Sequence, residues 1–199
     1  MARKSGSSGK ETARLLKAAA TRLFARYGYA AVSMRQIAAE VGVQAGALYL
    51  YTPDKQSLLA ELMVGHLEEL HAAWRRQADA GDDPLRQLDA FVRFHIAFHV
   101  PRIDQVFIAY MELRNLDPEN FRRVEDLRRA YEDILEAILR RGQERQLFDL
   151  VDARLSTMAI IAMLTGVNTW YREGGRLSVG EIEAHYVELV RRLVWRRAA

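Results

Sequence analysis

The chain has 199 residues, of which half are hydrophobic and 28% charged. That is enough apolar mass for one full-sized core, or for a small domain beside a larger one, and too much for intrinsic disorder. No cysteine occurs, which removes disulfides, thiolate zinc sites and cysteine nucleophiles and fits a reducing compartment.

Residues 1–9 (MARKSGSSG) are basic and rich in Gly and Ser, the composition of a flexible arm, and lack the apolar stretch of a signal peptide. From Lys10 to Tyr27, Leu15, Ala18, Ala19, Leu23 and Phe24 recur at helical spacing, and Gly28 follows as a stop. Ser33 and Gln36 form a capping box for a second helix ending near Gly42. A short helix from Gln44 to Tyr51 follows. Thr52-Pro53-Asp54 then supplies a cap, a proline and an acid for a long helix, with Leu59, Leu62, Met63, His66, Leu67, Leu70 and Trp74 on its stripe, running until Gly81.

Asp83-Pro84 restarts a helix through Phe98, Pro101 marks a boundary before Ile103–Arg114, and Asp117-Pro118 caps a longer helix bearing Phe121, Val124, Leu127, Tyr131, Ile134, Ile138 and Leu139. Asp152 opens an apolar helix ending at Gly174-Gly175, and Ser178 with Glu181 opens the last. Leu155–Tyr171 is interrupted by Ser156, Thr157, Thr165, Asn168 and Thr169 and is too short to span a bilayer, so a buried helix explains it better. About nine helices, with no two-residue alternation, make the class all-α. Cytoplasm is the expected location.

Charge divides the chain more sharply than composition does. Residues 1–55 hold nine Lys/Arg and three acids, a net of +6, on a net total of +3. A basic head on a mildly acidic body points to a polyanion partner for the head, since phosphate binding releases condensed counterions. Within this head, Ile37, Ala38 and Val41 offer an inner face, Gly42 a turn, and Val43 a core plug. Small Ala45, Gly46 and Ala47 would let a helix approach DNA closely. This is the pattern of a helix-turn-helix, a weak signal when taken alone.

A longer run carries more. From Leu15 to Leu59, the Leu23-Phe24…Tyr27-Gly28 end of helix one, Ile37-Ala38, Gly42-Val43, Gly46, Leu48-Tyr49 and Lys55 stand in the order and spacing of one family. The segment resembles the DNA-binding domain of TetR-type (tetracycline-repressor) transcriptional regulators. That resemblance implies a DNA-binding domain at 10–56 and a ligand-binding and dimerisation domain at 57–199. It implies double-stranded operator DNA as partner, a homodimer, and no enzymatic activity or cofactor. Carried over by position, Ala45–Tyr51 would be the recognition helix with Gln44 at its start; Tyr49, Tyr51 and Lys55 would contact phosphates, as would Ser33 and Arg35. Tyr51 and Thr52 depart from the common LYxHF ending, which puts the packing of Thr52 in question. Base readers are few: Ala45 and Ala47 can touch only thymine methyls, leaving Gln44 and Arg35. Tyr49 could instead pack in the core, and Lys55 could be a solvated charge.

In the body, Phe91, Phe94, His95, Phe98, Phe107, Tyr110 and Met111 put apolar and aromatic side chains on several faces of two helices, as around a cavity or in a solid core. His95 and His99, four apart, have metal-binding spacing but no matching Cys or acid, so polar groups lining a cavity are the better reading and no metal is expected. The faces of the last two helices suit a four-helix dimer interface. QVFIAYMELRNL and NTWYREGGRLSVGEIEAHYVELV resemble, more loosely, sensor domains of regulators of fatty-acid or sterol catabolism. That implies an acyl-CoA effector, with Arg114 and Trp170 added to the ligand residues. Arg122, Arg123, Arg128, Arg172 and Arg176 would either meet CoA phosphates or be solvated. The alternative is a regulator of efflux or detoxification responding to an aromatic compound. Neither a nucleophile–base–orienter set nor a metal cage is visible for an enzyme; an adaptor whose head binds protein is the remaining class.

Overall fold

The computed structural model describes residues 9–77 and 81–195. Every regular element among them is helical: α1 (Gly9–Tyr27), α2 (Met34–Val41), α3 (Ala45–Leu48), α4 (Lys55–Arg75), α5 (Pro84–His99), α6 (Ile103–Met111), α7 (Pro118–Glu144), α8 (Ala153–Thr165), α9 (Val167–Trp170) and α10 (Val179–Val194). Two of the ten are single turns, so the all-α class with about nine helices holds. Residues 1–8 of the expected arm lie outside the described residues, and Gly9 already belongs to α1. Among the described residues no helix is long and apolar enough to cross a membrane.

The caps explain where most helices begin. Ser33 closes its capping box with Gln36, and Ser178 closes another with Glu181. Asp83 accepts from Leu85 N with Pro84 in the first turn, Asp117 accepts from Asn120 N at 2.8 Å, and Asp152 from Leu155 N at 2.7 Å. Thr52 does not cap α4 as expected. Asp54 takes that place, accepting from Ser57 N at 2.7 Å, while Thr52 is 2% exposed and its hydroxyl donates to the Asp54 carbonyl.

Four elements differ from the sequence reading in length: α4 ends at Arg75, short of Gly81, and α6 ends at Met111, short of Arg114. The helix expected from Asp152 to Gly174 breaks at Gly166, where Asn168 Nδ2 donates to Thr165 O and Thr169 Oγ1 to Gly166 O. Short polar side chains there compete with the backbone ladder. The recognition segment is α-helical only over Ala45–Leu48; Leu50 N and Tyr51 N then bond three residues back, to Ala47 O and Leu48 O, tightening the path to the end of the turn.

The chain forms two compact units. One comprises residues up to Glu68 together with Asp104–Glu125; the other comprises Glu69–Ile103 and the residues from Asp126 on. In the first, α1 packs on α2 and α2 on α3 around Leu16, Ala20, Phe24, Ile37, Leu48 and Leu58. The segment 104–125, expected to belong with the sensor, packs in this unit. In the second, α5 packs against α8 and α10, with Phe91, Ile96, Leu135, Leu139, Ile160 and Val190 in its core.

Candidate nucleic-acid interface and sensor core

In the first unit the αL conformation of Gly42, φ 77°, turns the chain between α2 and α3. Its N–H and that of Val43 bond back to α2 carbonyls, which fixes the angle between the two helices. Around that turn Gln44 is exposed at the start of α3, and Arg35 and Ser33 are exposed at the start of α2. Ala45 and Ala47 are half-buried, so their methyls form the floor of the surface and not its reach. Tyr49 is 56% exposed, which disposes of the core-packing alternative for that ring; Tyr51 is half-buried.

Lys55 is placed differently from a free surface lysine. It is half-buried, with Nζ 4.1 Å from the centroid of the Tyr29 ring. Burial pulls its ammonium pKa down, and the charge of Glu112 partly restores it. Glu112 is a residue that sequence reasoning missed. It lies after α6, far from the helix-turn-helix in sequence, and no local pattern marks it.

In the second unit Phe91, Phe94, His95 and Phe98 come together on α5 with Trp74, His99 and Tyr131. Trp74 meets Phe91 and Phe94 edge-on at 5.4 and 5.2 Å, and Phe91 lies against Tyr131 at 5.2 Å. Through this aromatic wall runs a polar seam. His95, 1% exposed, shares hydrogen bonds with Tyr131 Oη at 3.2 Å through Nδ1 and with Thr165 Oγ1 at 3.1 Å through Nε2. The His99 ring stacks on His95 at 4.1 Å, and its Nδ1 bonds the His95 carbonyl at 2.7 Å. Both histidines thus spend ring nitrogens within the helical core; among the described residues no three His or acidic groups are placed to hold a metal ion. Tyr131 and Thr165 were not among the expected site residues, because Tyr131 reads as one of an apolar stripe and Thr165 as a polar interruption of an apolar helix.

The other expected ligand residues sit elsewhere. Phe107, Tyr110, Met111 and Arg114 are exposed along α6 and the turn after it, in the first unit. Trp170 is exposed at a groove of about 280 Å³ lined by Trp170, Tyr171, Arg172, Gly175, Arg176 and Leu177, in the second.

Residues 16–62 match the family model for bacterial regulatory proteins of the tetR family, and residues 81–194 match the tetracyclin repressor-like C-terminal domain. The chain belongs to the TetR family. This TetR-family protein is 29% identical over 188 residues to the HTH-type transcriptional repressor KstR2 of Rhodococcus jostii, covering 94% of this chain and 91% of the relative. The solved ketosteroid transcriptional regulator KstR2 of Mycobacterium tuberculosis superposes with a TM-score of 0.83 at 26% identity, over 98% of this chain and all of that one. AibR, solved with isovaleryl coenzyme A and operator DNA, has a TM-score of 0.81 at 23% identity over 90% and 97% of the two chains, a likeness of fold. The TetR-family regulator is accordingly a DNA-binding transcriptional regulator and not an enzyme.

Proposed function

We propose that this TetR-family regulator is a repressor that binds a palindromic operator as a homodimer and leaves it when a small apolar effector, an acyl-CoA or related thioester, enters the second unit. The observation that carries the DNA half is the exposed row Arg35, Gln44 and Tyr49 on a capped helix-turn-helix. Arg35, Tyr49, Tyr51, Ser33 and Lys55 serve as phosphate contacts in this reading. Gln44 and the methyls of Ala45 and Ala47 face base edges. A homodimer would present two such rows about 34–36 Å apart, one turn of the duplex.

For the effector, the aromatic wall of Phe91, Phe94 and Phe98 with its His95–Tyr131–Thr165 seam supplies an apolar lining and a few fixed polar groups, the usual make-up of a small-molecule site. Arg172 and Arg176 beside Trp170 offer a separate cationic, stackable groove for a nucleotide. KstR2 of Mycobacterium tuberculosis is named a ketosteroid transcriptional regulator and AibR is solved with isovaleryl coenzyme A, which favours the same class. Arg102 stands apart from this role, since its guanidinium is engaged by Glu69 and lies 4.0 Å above the Phe98 ring.

The test is titration of the purified protein onto duplexes from its own upstream region between about 50 and 200 mM salt, where several phosphate contacts predict a steep loss of affinity. Acyl-CoA thioesters are then added. A folded protein that binds none of these duplexes sinks the repressor reading; one that binds but ignores every thioester sinks the effector class alone.

A further inference from the structure

Two side chains in the first unit converge on Tyr29 from distant parts of the sequence. The Glu112 carboxylate, 6% exposed, accepts the Tyr29 backbone N–H at 3.0 Å through Oε1 and the Asn115 side-chain amide through Oε2. A methyl group added at Gly28, φ 81°, would stand 3.5 Å from that same Oε1, so the carboxylate is seated against the turn that ends α1. On the ring of Tyr29 lies the Lys55 ammonium. Gln56 fastens the arrangement: its side-chain amide donates to Asn115 O and accepts from Asp117 N at 3.2 Å.

A carboxylate taken out of water loses its hydration unless a cation or a full set of donors replaces it. The two donors on Glu112 are neutral amides, and its charge acts on Lys55, whose ammonium lies on the ring of the same tyrosine. Resting on the reading that Lys55 is an operator phosphate contact, we propose that Glu112 is an internal competitor for Lys55. It holds charge that a DNA phosphate would otherwise take, and so sets how tightly the helix-turn-helix grips any duplex.

The consequence is regulatory. Binding a phosphate draws Lys55 away from a buried anion, and this cost is charged to every DNA sequence alike. Glu112 belongs to the segment between α6 and α7, so displacement of that segment changes the cation available at the start of α4. A lysine partly neutralised in this way also contributes less counterion release than the full phosphate contact, which is worth a slope of about 0.9 in log affinity against log salt.

The experiment measures binding of the full-length protein to an upstream-region duplex and to a mixed-sequence duplex over a salt series. The variants are Glu112→Gln, Lys55→Gln and the pair. Glutamine keeps an acceptor for the Tyr29 N–H while removing the charge. Expected is about threefold to tenfold tighter binding to both duplexes by Glu112→Gln, with a steeper salt slope, and no gain in the Lys55→Gln background. Unchanged or weaker binding by folded Glu112→Gln overturns the proposal, as does a gain that persists without Lys55. If Lys55→Gln alone alters neither affinity nor slope, the phosphate-contact reading fails first and the proposal falls with it. Should Glu112→Gln not fold, the comparison of wild type with Lys55→Gln decides: a slope difference well below about 0.9 supports the competitor, and the full value overturns it.

Discussion

Asp54, exposed, opens α4 by accepting the Ser57 N–H, and this bond is the first cause holding its carboxyl below the ordinary pKa, with slight desolvation opposing. A depressed folded value means that the contribution is complete above the unfolded pKa of about 3.9 and is lost as pH falls through the folded one. The stability difference between wild type and Asp54→Asn, read from urea midpoints, is therefore expected to be constant above about pH 5 and to shrink below about pH 4. A gap that changes between pH 5 and 8 would contradict this assignment. Cap residues of this kind were mostly legible in the sequence because a cap is a local device: Ser33, Asp83, Asp117, Asp152 and Ser178 were each read correctly from neighbours within three positions. Thr52 was the exception. Thr52 and Asp54 are both competent caps two residues apart, and burial of Thr52 decided between them.

At the scale of elements, α7 carries a glycine whose reason lies outside the helix. The Phe148 ring sits where a Gly142 side chain would be, with Cδ2 1.9 Å from the position of an added Cβ. Leu147 and Phe148 both turn their N–H groups to the Gly142 carbonyl, and Phe148 bridges to Trp195 while Asp149 N bonds Val194 O. Gly142→Ala raises helix propensity but must expel the ring, so a net loss of about 1–3 kcal/mol is expected from overpacking, read as a lower thermal midpoint. Restoration by Gly142→Ala with Phe148→Ala would tie the loss to that contact; an unchanged midpoint for the single variant would refute it. The break at Gly166 follows the same lesson. The apolar run through Trp170 reads as one helix, and only the bonds of Asn168 and Thr169 to nearby carbonyls divide it.

For the whole molecule, the unexplained surface is apolar. Leu155, 67% exposed, is joined on α8 by Met158, while Leu189 and Leu193 are exposed on α10, an array of large side chains that a monomer seldom leaves in water. The proposed four-helix dimer would cover it, so Leu155→Glu with Leu193→Glu is expected to halve the mass seen by analytical ultracentrifugation while helicity is kept, and to weaken operator binding with it. A wild-type protein sedimenting as a monomer at micromolar concentration would remove this reading. By itself the sequence determined the helical class, nearly every helix start and the helix-turn-helix, because periodicity, caps and turn glycines act over a few residues. Only the tertiary structure decided that Glu112 and Gln56 tie the α6–α7 segment to Tyr29 and the start of α4, and that Tyr131 and Thr165 complete the His95 seam. Those partners lie 83, 70 and 36 residues from the groups they bond, and a hydrogen bond across such a separation leaves no periodic trace in either segment.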